Sequence, residues 1–179
     1  MAVTSKTKAA RKSARAAAPK PAPQATASQD AITLLEADHR EVEAYFEQYE
    51  ALTEDADKKA LADKICLALK VHAQIEEELF YPPSREKTGD FDLLDEATVE
   101  HMGAKNLVAQ IEAMAPGQPL YDAKVKVLGE QIRHHVEEEE GELFPEVRAT
   151  DLDLVDLGRK LAARKAELMA MLAPPPPRV

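Results

Sequence analysis

The chain is expected to be all-α: an up-down-up-down four-helix bundle with a fifth C-terminal helix and disordered tails. Three observations predict this. Ala, Leu, Glu and Lys are plentiful while only 6 Gly, 4% aromatics and no Trp occur, a composition of helix formers. Apolar residues recur at three- and four-residue steps through five segments. Pro, Gly and short polar residues stand between those segments and punctuate them.

The first helix is expected over about Asp30–Leu52, with the stripe Ile32, Leu35, Val42, Phe46 and Tyr49. The second runs from about Asp55 to Phe80, with Ile65, Leu69, Ile75 and Leu79 inward. Pro82-Pro83 is expected to stop it, since proline lacks the N–H and crowds the preceding turn. After a polar loop with Gly89, the third spans about Phe91–Met114, with Leu94, Val108 and Ile111 inward. Pro116-Gly117-Gln118-Pro119 forms a turn, and Pro119 suits the first helical position of the fourth helix. That helix carries Val125, Leu128 and Ile132 to about Gly141 or Leu143, before Pro145. The fifth, about Asp151–Leu172, starts from a Thr150/Asp151 cap and presents Leu154, Leu157, Leu161 and Leu168.

Residues 30–172 form the domain, and residues 1–29 and 173–179 its tails. The first tail holds Lys6, Lys8, Arg11, Lys12, Arg15 and Lys20 and no acid. Rich in Ala, Pro, Lys and Ser, it cannot bury a core and is expected to be disordered. The last six residues, four of them Pro, make a short extended tail. The chain's net charge is -10, so the +6 of the first tail leaves -16 on the remainder. A basic arm on an acidic body suggests weak contact with nucleic acid or another polyanion, or docking on its own body. Its Arg/Ala/Ser content also resembles an organellar transit peptide. No apolar run approaches the ~20 residues needed to span a bilayer, and no membrane partner is expected. The one cysteine, Cys66, excludes an internal disulfide and fits a reducing, cytoplasmic setting.

A phrase occurs twice. His72 precedes Glu76 by four residues and Pro82 by ten; His135 stands likewise to Glu139 and Pro145, with an aromatic before the Pro each time. His and Glu at i, i+4 share a helix face, so each pair is half of a possible metal site. In a bundle with short loops, residues equally far from a connecting turn lie at the same depth. His39 falls 14 residues before Thr53 and His72 falls 15 after Asp57. His72 is 10 before Pro82 and His101 is 11 after Asp90. His101 is 15 before Pro116 and His135 is 16 after Pro119. One residue is only about 1.5 Å of rise, so four helices bring one His each to one level. All four lie on apolar stripes.

A single histidine on an apolar face is ordinarily a packed core residue. Here four of 5 His share a level, and two carry Glu on the same face. His39, His72, Glu76, His101, His135 and Glu139 are therefore the candidate metal ligands. Six N/O donors exceed one tetrahedral zinc and suit two metals held close together. Two buried Glu would be costly without metal. His134 lies about 100° round its helix from His135 and is read as a non-ligand. Glu43, four residues after His39, is a weaker candidate for a supporting role. Glu100 could line a way into the site, and Lys105 could sit at its edge and pair with a Glu. In the run Glu137–Glu140 only Glu139 is expected inward, the rest forming a wet acidic face. No residue is singled out as catalytic.

The order His39, His72-x3-Glu76, His101, His135-x3-Glu139 resembles the hemerythrin/HHE cation-binding domain, as does the Glu-Leu-Phe-(Tyr)-Pro text after each Glu. The resemblance covers about residues 30–172. It implies a non-haem di-iron centre with an oxo or hydroxo bridge, held by those six residues. Oxygen-carrying hemerythrins have a second His four residues after the third-helix ligand, where this chain has Lys105. Their last carboxylate falls five residues after the His, where this chain has Glu140; Glu139 matches the bacterial HHE proteins better.

The resemblance implies a protein that binds or senses oxygen, nitric oxide or iron, with peroxide as a further ligand. An enzyme is the alternative: an iron donor for iron–sulfur repair, or a nitric oxide or peroxide reductase, acting under nitrosative or oxidative stress. No Cys stands in the first 29 residues, unlike many repair proteins, so binding is favoured over catalysis. Ferritin-like oxidases place the carboxylate before the His, the reverse of this order. A third reading is an adaptor tethered to polyanions by its basic tail.

Overall fold

The computed structural model describes Met1 and residues 29–173. The two expected disordered tails lie outside the described residues apart from Met1, Gln29 and Ala173. The described part is helical throughout: α1 (Ala31–Glu50), α2 (Asp55–Ile75), a π-helical turn π1 (Glu76–Phe80), α3 (Tyr81–Thr88), α4 (Phe91–Glu112), α5 (Tyr121–Glu138), a second π turn π2 (Glu139–Leu143), α6 (Phe144–Arg148) and α7 (Leu154–Leu172). The pieces α2–π1–α3 and α5–π2–α6 are continuous rods, so five rods result. Helices α1, α2, α4 and α5 close a ring, each touching two neighbours, and α7 lies outside against α1 and α2.

Local chemistry explains the ends. Asp30 caps α1 by accepting from Thr33 N at 2.9 Å, and Asp90 caps α4 by accepting from Leu93 N at 3.1 Å. Gly89 closes α3 at φ 73°, a left-handed conformation that costs glycine little. Three expectations fail. Pro119 does not begin the fourth helix: the turn runs on to Leu120, itself left-handed at φ 71°, and α5 starts at Tyr121. The cap of α7 is Asp153, whose side chain accepts from Asp156 N at 2.9 Å. Thr150 is instead held in the preceding turn, donating to Val147 O at 2.8 Å.

The third correction concerns the prolines. Neither Pro82-Pro83 nor Pro145 stops its rod, which continues to Thr88 or Arg148. A π turn precedes each, with the N–H of Tyr81 donating to Glu76 O and that of Phe144 to Glu139 O, five residues back. The wider turn shifts the carbonyls that a proline ring would strike. The prolines then occupy the first turn of a new helical piece, where an N–H is not needed.

Two apolar clusters fill the bundle. Ile32, Leu35, Val71, Ile75, Phe80, Leu94, Leu143, Phe144, Leu157 and Leu161 form one. Val42, Phe46, Ile65, Leu69, Val108, Ile111, Val125 and Leu128 form the other. Each such side chain contributes roughly 1.5–3 kcal/mol on burial. The buried polar residues His39, His72, Glu76, His101, His135 and Glu139 come from stretches between the two clusters. Gly158 allows α7 to approach the start of α1: a Cβ there would stand 2.3 Å from Gln29 O.

Candidate metal centre

The six expected ligands converge. His39 comes from α1, His72 from α2, His101 from α4 and His135 from α5, and Glu76 and Glu139 are the first residues of the two π turns. His39 Nε2 lies 3.1 Å from His72 Nε2, and His101 Nε2 lies 3.1 Å from His135 Nε2. Glu76 Oε2 sits between the pairs, 3.1 Å from His72 Nε2 and 3.4 Å from His101 Nε2. Glu139 Oε2 mirrors it, 3.4 Å from His39 Nε2 and 3.5 Å from His135 Nε2. Each carboxylate thus faces one imidazole of each pair.

The arrangement has an approximate two-fold relation that follows the sequence repeat. Carboxylates five residues beyond the repeated histidines reach across to the outer nitrogens of the other two. Glu140 Oε1 stands 2.8 Å from His39 Nδ1, and Glu77 Oε1 stands 3.0 Å from His101 Nδ1. Glu100 Oε2 stands 2.8 Å from His135 Nδ1, and Asp38 Oδ2 stands 3.6 Å from His72 Nδ1. A carboxylate on Nδ1–H fixes the tautomer and leaves Nε2 free to bind a metal.

Of the weaker candidates, Glu100 is held to His135. Lys105 reaches both oxygens of Glu77 at 2.6 Å. Glu43 is not brought to the cluster: it accepts from Arg133 Nε at 3.0 Å on the outer face. His134 is 61% exposed and stands apart. Glu140 corrects the reading of a wet face, since it turns in to His39. Its position, shared with Glu77 as His-plus-five in the repeat, was the signal for both. Tyr81 was visible only as an aromatic before a proline. Its hydroxyl donates to Glu139 Oε1 at 2.9 Å, and its ring stacks on His101 with centroids 5.5 Å apart. Asp38 carried no sequence signal beyond preceding His39.

The electrostatics are those of a charged buried layer. Burial disfavours protonation of His72, but the Glu76, Asp38 and Glu139 carboxylates outweigh it and push its pKa up to about 10. Burial alone would raise the Glu76 carboxyl; His72 and His101 hold it well below the usual range. Burial, with Glu139 and Glu76, pushes the Tyr81 phenol well above its ordinary value, so it is a neutral donor.

Three oxygens of the two inward carboxylates remain buried without a hydrogen-bond partner: both of Glu76 and Oε2 of Glu139. Glu76 is 0% exposed. Such atoms are costly unless something binds them. The oxygens and the inward Nε2 atoms fit cations: the donors are hard and borderline, arranged as two imidazole pairs sharing two carboxylates. Four-helix-bundle proteins that bind metal in their interior form the class this fold and cluster define.

The comparisons agree. The family model described as the hemerythrin HHE cation binding domain matches residues 30–147. The chain belongs to that family. A crystal structure of a hemerythrin HHE cation binding domain-containing protein from Mycobacterium kansasii, a homologue of Rv2633c, has the same fold. Its TM-score is 0.69 at 24% identity, covering 80% of this chain and 89% of that one. The uncharacterised Mycobacterium tuberculosis protein Rv2633c is 27% identical over 126 residues, covering 66% of this chain and 74% of its own length. A Nostoc protein named DNA nickase is 31% identical over 120 residues, 67% of this chain. The chain spans only 33% of that relative's length.

Among the described residues, no helix is long and apolar enough to cross a membrane.

Proposed function

We propose that the chain holds two iron ions in a non-haem centre and binds a small molecule, oxygen or nitric oxide, beside them. One observation carries this: two imidazole pairs, each with its Nε2 atoms 3.1 Å apart, face two shared buried carboxylates that keep three oxygens without a hydrogen-bond partner. His39 and His72 would hold one ion and His101 and His135 the other, with Glu76 and Glu139 touching both. When bound, iron supplies the redox chemistry and open coordination that a diatomic ligand needs.

The protein supplies the rest. A cavity with about 20 Å³ of room for small molecules adjoins the histidines, above the ~10–15 Å³ that one water needs. Val42, Leu69, Ala73, Ala104, Val108, Ile132 and Val136 line much of it. Those walls favour a small apolar molecule over polar peroxide. Lys105 is tied to Glu77, and α4 offers no second imidazole there. The site therefore has a free side for a ligand.

Anaerobic iron loading followed by oxygen or nitric oxide tests this. Two irons per chain and a new absorption band on adding the gas are expected; fewer than one iron per chain would sink the reading. Catalytic loss of nitric oxide or peroxide above free-iron controls would convert it to an enzyme.

A second reading, an adaptor on nucleic acid, draws on the six basic residues of the first 29 and on the relative named DNA nickase. DNA binding that weakens with salt and vanishes on deleting residues 1–29 would support it.

A further inference from the structure

In the carboxylates that back the imidazoles, the two halves of the centre are alike except at one histidine. His39, His101 and His135 each have Nδ1 within 3.0 Å of a carboxylate oxygen. His72 does not. Its partner by position is Asp38, which precedes His39 as Glu100 precedes His101. Asp38 Oδ2 stops 3.6 Å from His72 Nδ1. Both atoms are buried, and neither has a hydrogen-bond partner.

Asp38 is engaged elsewhere. Its Oδ1 accepts a charged hydrogen bond from Lys165 Nζ. Lys165 lies on α7, beyond the residues 30–147 that define the family match. α7 packs on α1, α2 and π1, and Lys165 meets the centre through Asp38, on the His39/His72 half. On the other half Glu100 has no lysine or arginine partner among the described residues: its ion pairs are with His135 and His134.

We propose that Lys165 is a positioning residue: it holds Asp38 back from His72 and so makes the His39/His72 metal position weaker than the His101/His135 position. The inference rests on the two-metal reading above. A carboxylate hydrogen-bonded to Nδ1–H orients an imidazole and strengthens its Nε2 as a ligand, and losing such a partner typically costs about 10–100-fold in metal affinity. Three histidines have that support, and His72 is denied it by a cation on the fifth helix. The two positions then fill in sequence, His101/His135 first, and empty in the opposite order. The fifth helix thereby sets which metal is exchangeable.

The test titrates the metal-free full-length chain with Co(II), read by its visible bands, and anaerobically with Fe(II). Two unequal steps are expected for the wild type. Lys165→Met should tighten the weaker step by about tenfold and leave the stronger one in place. Lys165→Arg should keep the wild-type inequality, and adding Asp38→Asn to Lys165→Met should abolish the gain. A purely structural role for Lys165 would move both steps together with thermal stability, and that result overturns the proposal, as does no change in either step. If Lys165→Met does not fold, Lys165→Gln decides: it must tighten only the weaker step. Two equal steps in the wild type overturn the proposal while leaving the two-metal centre standing. No metal binding at all overturns both.

Discussion

The Tyr81 hydroxyl donates to Glu139 Oε1 at 2.9 Å, joining the end of one copy of the repeat to the metal-facing carboxylate of the other. The equivalent residue in the second copy, Phe144, has no hydroxyl and stacks on His39 with centroids 5.8 Å apart. The site is therefore asymmetric at Glu139, whose Oε1 is occupied while both oxygens of Glu76 remain without a partner.

Tyr81→Phe removes that donor and keeps the ring on His101. A buried carboxylate oxygen left unpaired costs about 1–3 kcal/mol. The metal-free variant should unfold at lower urea by that amount, with its helical circular dichroism unchanged. An unaltered midpoint would show that the hydrogen bond adds nothing.

His72→Ala and His135→Ala each take one imidazole from a different pair. Each variant should bind less iron than the wild type and lose most of the rise in melting temperature that iron confers, because ligand binding stabilises only the folded state. Metal analysis beside calorimetry reads both. Wild-type iron content in the two variants would refute the ligand assignment.

The metal-free protein should have a defined pH window. The His72 pKa is raised in the fold from 6.5 to about 10. Its contribution is therefore complete below 6.5 and lost as pH climbs through 10. The Glu76 pKa is lowered from 4.5, so its contribution is complete above 4.5 and lost as pH falls through the depressed value. Stability from this pair should peak between 4.5 and 6.5 and decline on the alkaline side. Iron displaces the His72 proton, so its affinity should rise over the same alkaline range. Urea midpoints of the metal-free chain across pH 5–10, showing no alkaline decline, would contradict this.

Gly158→Ala would place a Cβ 2.3 Å from Gln29 O and 2.8 Å from Ala31 N. Alanine's better helix propensity, worth about 1 kcal/mol, cannot offset a backbone clash. The helices must part, at a cost of about 1–3 kcal/mol. The thermal midpoint should fall, and amide exchange in α7 should quicken. A midpoint at or above the wild type would mean that α7 tolerates the shift.

Much of this was legible in the linear sequence. Apolar periodicity located the five rods and their starts to within a few residues, because a helix exposes its buried face as a pattern in its own segment. The depth of four histidines followed from counting to the turns, since rise per residue is constant and the loops are short. The doubled His-x3-Glu phrase marked Glu76 and Glu139. Pro82, Pro83 and Pro145 misled, because a proline stops an α-helix only in an α hydrogen-bond register, and the π turns ahead of them change it.

The sequence by itself determined the helices, the level of the histidines and the hemerythrin-like donor order. Each of these is set within one segment or by distances along the chain. Tertiary structure alone decided what stands behind each imidazole. Glu140 meets His39, Glu77 meets His101, Tyr81 meets Glu139 and Lys165 meets Asp38. Each partnership joins side chains at least 24 residues apart, and its geometry depends on how the rods are rotated against one another. Packing of the two apolar clusters fixes that rotation, and no local pattern records it.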